Sequence, residues 1–120
     1  MKHEVSKPYH AMKKELQRQD PNIIIASRFD VSWAYKLASS LTDSYRTGSS
    51  SEDSFSWVEH NFFHNIKEQH KSKNQNSWVD FYLLQIGNGG LSLEEEKTHM
   101  SLWAIAKSPL FLSSNPETMR

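Results

Sequence analysis

His60 and His64 stand four residues apart, the spacing at which two imidazoles on one helix face can share a metal ion. A zinc-protease helix would carry Glu at position 61. Asn61 is there instead, the general base is missing, and exposed helix histidines are the better reading. Gly87-Asn88-Gly89-Gly90 matches a phosphate loop only in its glycine content. It lacks the spacing and the Lys of a P-loop, and a strand-to-helix turn explains its glycines as well. Trp78, Phe81 and Tyr82 could form an aromatic platform for a sugar, although core packing is the commoner use of such a cluster.

Whatever positions these groups must fit one small domain, residues 1–120, with 37% hydrophobic residues and a correspondingly thin core. Fourteen Lys and Arg balance fourteen Asp and Glu, with both signs interspersed. That pattern argues against nucleic acid as a partner, which asks for a basic face. No apolar run approaches the ~18 residues of a membrane helix, so no membrane partner is expected. Met1-Lys2-His3-Glu4 is not followed by the apolar core of a signal peptide, which implies a cytoplasmic chain. The absence of Cys excludes disulfides, Cys-ligated zinc and a thiol nucleophile; no metal and no cofactor are expected.

The positioning elements follow from periodicity. Tyr9, Met12 and Leu16 recur at i, i+3 and i+7 and predict a helix starting near Pro8, broken by Asp20-Pro21-Asn22. Ile23-Ile24-Ile25-Ala26 reads as a strand buried on both faces. Trp33, Leu37 and Leu41 predict a short helix, and the Ser-rich stretch from Thr42 to Ser54 a solvated loop. Phe55, Val58, Phe62 and Ile66 share one stripe, so 55–70 is a helix that Asp53 or Ser54 caps. A polar linker leads to a strand from Trp78 to Ile86. Ser92 and Glu95 then form a capping box, opening a helix that Ser108-Pro109 stops. Leu110-Phe111-Leu112 makes a final strand. Helices and strands that alternate in this way give the α/β class, with right-handed crossovers and a mostly parallel sheet.

The last third is more specific. The stretch from Trp78 to Leu91 is followed by Glu95, His99, Ser101-Leu102-Trp103-Ala104 and Lys107-Ser108-Pro109-Leu110. It resembles the melibiase-type α-galactosidases. In that family a strand reading Trp-Asn-Asp-Pro-Asp-Met-Leu-x-x-Gly-Asn leads to a helix with Ser-x-Trp-Ala and then Lys-x-Pro-Leu. Upstream, Tyr9-His10-Ala11-Met12 with Leu16, Tyr45-Arg46-Thr47 and Asp53-Ser54-Phe55 are similar to further family segments. The resemblance covers residues 9–113 and leaves 114–120 as a tail. It implies part of a (β/α)8 barrel, retaining hydrolysis of terminal α-galactosides, and a galactoside as ligand.

Departures from the family pattern bear on activity. Retaining hydrolysis needs two carboxyl groups about 5–5.5 Å apart. The resemblance puts the nucleophile on a strand upstream of the Tyr9–Leu16 region, hence before Met1. Aligned on Asp53, the acid/base position falls on Ser50, whose hydroxyl does not titrate as a carboxylic acid does. Glu52 or Asp53 would substitute only in a different loop register. Val79 and Tyr82 replace the Asn and the second Asp of the strand motif, whereas Arg46 and Asp80 are retained. Arg46 would offer a sugar hydroxyl a fixed fork of donors, or form an ion pair. Asp80 would accept from a hydroxyl or, preferably, anchor the following turn. His99 and Trp103, one turn apart, are expected to pack their helix on the sheet.

A complete barrel takes about 250 residues and each strand–helix unit about 30. Three to four units in an open parallel sheet are therefore expected here. Open edges invite pairing, so self-association or a completing partner chain is implied. The sequence thus predicts an α-galactosidase-like chain that is catalytically inactive alone. The alternative is a structural or interaction remnant of a truncated glycosidase gene.

Overall fold

The computed structural model describes residues 2–29, 32–47, 51–71, 77–117 and 119. Ser50 and residues 72–76 of the polar linker lie outside the described residues. In chain order the elements are α1 (Lys2–Gln19), β1 (Ala26–Arg28), α2 (Ser32–Leu41), β2 (Ser44–Arg46), α3 (Phe55–Lys71), β3 (Trp78–Asp80) and α4 (Leu93–Ile105). The strands form one parallel sheet in the order β1-β2-β3. Parallel neighbours need crossover connections, and α2 and α3 supply them. Three βα units therefore stand side by side.

One face of α3 carries this packing, and Glu59, His60, Phe63 and Lys67 on the other are exposed. Val58 is fully buried, with Phe62 and Ile66 half-buried along the same stripe, as their spacing predicts. Trp57 joins them beside Phe81, Tyr82 and Trp103. Phe81 and Trp103 meet edge to face at 5.7 Å between ring centroids, and Phe62 reaches Phe81 at 5.9 Å. His99 and Trp103 are both fully buried, where α4 packs against Trp57 of α3 and the exit of β3.

The strands are shorter and differently placed than the apolar runs imply. β1 begins only at Ala26, and Ile24 is 77% exposed. Ile25 is instead tied down by Asp43: its N–H donates to Asp43 Oδ2 at 2.9 Å, and the Asp43 N–H donates back to Ile25 O at 2.8 Å. The other Asp43 oxygen accepts from Lys13 of α1 at 3.1 Å, so one carboxylate fastens α1 to the entrance of β1. β2 lies inside the stretch read as a solvated loop; Ser44 and Tyr45 are buried between two strands rather than wet. β3 ends at Asp80 instead of continuing to Ile86. Of the final strand only a parallel bridge between Leu84 and Leu112 forms. The first helix extends through Pro8, forgoing the one bond that residue cannot donate.

The capping box forms as read. Ser92 Oγ accepts the Glu95 N–H at 3.4 Å, and the Ser92 N–H donates to the Glu95 carboxylate at 2.7 Å. Ser92 holds extended backbone angles, φ −70° and ψ 161°, as an N-cap requires. Replacing Ser92 by alanine is expected to lower stability by about 1 kcal/mol, with threonine restoring most of it. Urea unfolding followed by circular dichroism measures both; an alanine variant as stable as the parent would refute the role.

Candidate functional site

In a parallel sheet the loops that enter the helices open at the C-terminal ends of the strands, where ligands usually bind. Here that edge carries a row of charge. Arg28, Arg46 and Asp80 are register partners, the last residues of β1, β2 and β3. Arg46 Nε and Nη2 both reach Asp80 Oδ2, at 2.9 and 2.8 Å. The pair is largely sheltered, with side-chain exposures of 23% for Arg46 and 9% for Asp80. Asp80 Oδ1 accepts the Tyr82 N–H at 2.9 Å. Asp80 thus anchors the following turn as preferred from sequence, and Arg46 makes an ion pair that is not a surface one.

Tyr82 sits in the left-handed region at φ 87°, where a side chain is strained. Two contacts hold it there: the Asp80 bond to its N–H, and the Arg46 guanidinium lying 4.3 Å from its ring centroid. The Arg28 guanidinium lies over the same ring at 5.9 Å.

Leaving the ladder after Asp80 strands four buried backbone groups, and side chains take all of them. The Phe81 N–H donates to Ser108 Oγ at 2.9 Å, and Asn61 Nδ2 donates to Phe81 O. The Tyr82 N–H goes to Asp80, and Trp103 Nε1 donates to Tyr82 O at 2.8 Å. Asn61 is steadied in turn by Asn65, whose Nδ2 donates to Asn61 O and Oδ1, both at 2.8 Å. Thr47 Oγ1, just past Arg46, donates to Asn65 Oδ1. One polar row on α3 therefore grips the exits of both β2 and β3, fixing Arg46 relative to Asp80.

The remaining sequence candidates are dispersed. Asp53 Oδ2 accepts the Gly90 N–H at 2.8 Å, and a Cβ on Gly90 would lie 2.2 Å from Asp53 O, so only glycine allows this approach. Asp53 fastens the loop before α3 to the turn before α4, while Ser54 Oγ accepts the Trp57 N–H at 3.4 Å as the cap. Glu52 is exposed. In the glycine turn the Gly87 N–H donates to Glu96 Oε1 at 2.7 Å. Two of the donors a phosphate would use are thus spent on the protein's own carboxylates. The aromatic trio is split: Trp78 opens β3 at its far end, 47% exposed, whereas Phe81 is core and Tyr82 stands at the charged edge. His60 is exposed and His64 half-buried; among the described residues no three His, Asp or Glu gather as a metal site. No described helix is long and apolar enough to cross a membrane.

Sequence reasoning missed Arg28 and the Asn61–Asn65 row. Arg28 was within reach, because it directly follows the apolar run and so falls near the C-terminal end of a parallel strand. The two asparagines carry no such signal: their partners lie 20 and 18 residues away, at Phe81 and Thr47.

Comparison with known proteins identifies the family and the fold. A family model described as Alpha galactosidase A matches residues 2–120. Alpha-galactosidase mel1 of Schizosaccharomyces pombe is 47% identical over 49 residues, 41% of this chain and 11% of that protein. A probable alpha-galactosidase D of Aspergillus terreus is 57% identical over 37 residues, 31% of this chain and 6% of that one. Alpha-galactosidase 2 of Arabidopsis thaliana is 44% identical over 43 residues, 36% and 11% of the two chains. The aligned stretches thus span about a tenth or less of these relatives. The crystal structure of alpha-galactosidase I from Mortierella vinacea superposes with a TM-score of 0.76 at 23% identity, covering 98% of this chain and 34% of that one. That likeness establishes the fold, three βα units of the (β/α)8 type in an open sheet. With a family match over nearly the whole length, this chain belongs to the melibiase-type α-galactosidase family.

Proposed function

We propose that this chain keeps a galactoside-facing strand edge of its family, with Arg46 and Asp80 on the ligand side, and does not cleave glycosidic bonds on its own. One observation carries the reading: both oxygens of Asp80 are taken by protein donors, Oδ2 by Arg46 and Oδ1 by the Tyr82 N–H. Neither is left without a protein donor. The other two carboxylates at this edge of the sequence do not replace it, since Asp53 is bonded to Gly90 and Glu52 is exposed. The two carboxyl groups 5–5.5 Å apart that retaining hydrolysis requires are not assembled from them. Arg46 offers a sugar hydroxyl its Nη1, which takes no part in the Asp80 pair.

Two measurements on the purified chain test this. A chromogenic α-galactoside is expected to show no turnover above buffer. Turnover abolished by Asp53→Asn or Glu52→Gln would overturn the proposal and place the acid/base in this loop. Galactose is expected to shift the Arg46 Nε–Hε and Tyr82 amide resonances with millimolar affinity, roughly 4 kcal/mol of binding. A different outcome would favour a structural or interaction role: no shift, together with self-association at tens of micromolar in light scattering. Exposed Ile24, Trp78, Phe111 and Ile105 are the groups that would drive such association.

A further inference from the structure

The sheet order β1-β2-β3 and the Leu84–Leu112 bridge set four strand positions side by side, all parallel. Four is half of the eight that close a (β/α)8 barrel. The backbone shows what each end of this row offers. Along a strand in a parallel ladder, successive residues turn their N–H and C=O groups to opposite sides. Ile25 O accepts from the Asp43 and Ser44 N–H groups, and the Phe29 N–H donates to Arg46 O, so these two residues face β2. Ala26, one step out of phase, turns its N–H and C=O away from β2. At the other end the Leu84 N–H donates to Phe111 O, and the Ser113 N–H donates to Leu84 O. Leu112 therefore turns its own N–H and C=O outward.

Neither end carries the charge or proline that usually blunts an exposed strand edge: residues 23–27 and 110–114 hold none. Ile24 is 77% exposed, and Leu110, Phe111 and Leu112 are all exposed. The two sheet faces also differ. Tyr45 and Val79 are buried under the helices, with Tyr45 against Tyr35 of α2 at 6.4 Å between ring centroids. On the opposite face Ala26 and Trp78 are exposed. A parallel sheet is ordinarily covered on both faces, and in a barrel the far wall of the same sheet covers the inner one.

We propose that both edges and the open face take a second copy of this chain. β1 of each copy pairs with the Leu110–Leu112 segment of the other, and two half-barrels close into one eight-stranded barrel about a two-fold axis. Pairing unlike edges keeps every strand parallel and closes after two copies. Pairing like edges about a two-fold axis would be antiparallel and would leave the other edge open. A formal net charge of zero sets no overall repulsion between copies. The proposal goes beyond the galactoside reading and does not depend on it.

Analytical ultracentrifugation of the full chain at tens of micromolar is expected to show a dimer and nothing larger, since a closed barrel has no edge left to extend. Amide hydrogen exchange reads the two junctions. The Ala26 and Leu112 amides should slow together, by about tenfold or more, between dilute and concentrated samples. Ala26→Pro removes an outward N–H, a change that edge strands tolerate. It should weaken dimerisation by about tenfold or more and release the Leu112 amide at the opposite edge; Leu112→Pro should release Ala26 in turn. A monomer at these concentrations would overturn the proposal. So would slowed exchange at one edge alone, which marks pairing of like edges, or a series of larger species, which marks a sheet that does not close. Loss of the galactose shifts in a chain that does dimerise would sink the galactoside reading and leave this one standing.

Discussion

Asp80→Ala is expected to destabilise the chain by about 3–4 kcal/mol, a large share of the ~5–15 kcal/mol available to a small domain. Two losses add. The Tyr82 N–H is buried and would have no acceptor, which costs about 1–3 kcal/mol. The Arg46 guanidinium would lose its carboxylate in a sheltered position; breaking such a pair costs up to about 5 kcal/mol when fully buried. The 23% exposure of Arg46 and its place over the Tyr82 ring reduce that second loss. Without the Asp80 bond the left-handed Tyr82 is also free to relax, carrying Phe81 and its contacts with it. Asp80→Asn separates the two effects, because its Oδ1 can still accept from Tyr82. It should cost about half as much. In urea, with a slope of about 2 kcal/mol per molar, the alanine variant's midpoint falls by roughly 2 M. An alanine variant within 1 kcal/mol of the parent would mean that the Tyr82 turn is held by its packing alone.

The features legible in the sequence were those whose partners sit within a turn of each other. The Ser92–Glu95 box and the α3 stripe of Val58, Phe62 and Ile66 are local patterns, and both formed. Alternation of helices and strands already implied a mostly parallel sheet, and resemblance added its barrel type. The strands themselves were misplaced because each ladder is only three residues long. β2 shows no apolar run: Ser44 and Thr47 are buried polar residues, and Thr47 is satisfied by Asn65. The Ile23–Ile25 run was attractive as a strand, yet Ile24 faces outward and Ile25 is held by an Asp43 side chain rather than by a ladder at its own position.

At the site, the residue types were readable and their commitments were not. Nothing in the spacing of Arg46 and Asp80, 34 residues apart, announces that they bond each other. The exit of β3 shows why. Phe81 and Tyr82 read as strand by composition, yet Ser108, Asn61, Asp80 and Trp103 each supply a bond that frees them from the ladder. Those four donors and acceptors come from α3, β3, α4 and the segment after α4, so the departure exists only once the fold does.

α4 joins the same residues to a buried histidine. His99 is fully buried, its ring 4.2 Å from that of Trp103 and 6.3 Å from that of Trp57, with no hydrogen-bond partner on either nitrogen among the described residues. Burial pushes its pKa down to about 4, because the charged imidazolium has no solvent or counter-charge to replace water there. A base whose folded pKa is depressed is neutral in the native state and takes up a proton on unfolding. Its contribution is therefore complete above about pH 6.5 and lost as pH falls through the window from 6.5 to 4, amounting to about 3 kcal/mol. Acidification should loosen α4 at His99 and, through the Trp103 bond to Tyr82 O, the turn that carries the Arg46–Asp80 pair. His99→Leu removes this proton uptake while keeping an apolar side chain of similar bulk. Unfolding free energies at pH 7 and pH 4.5 should differ by about 2 kcal/mol more in the parent than in that variant, the carboxylates and the other histidines cancelling in the comparison. The His99 Hε1 resonance should hold its neutral shift from pH 8 to pH 5. Titration of that resonance near 6.5 in the folded chain would show that water reaches the ring, and the acid sensitivity assigned to α4 would go with it.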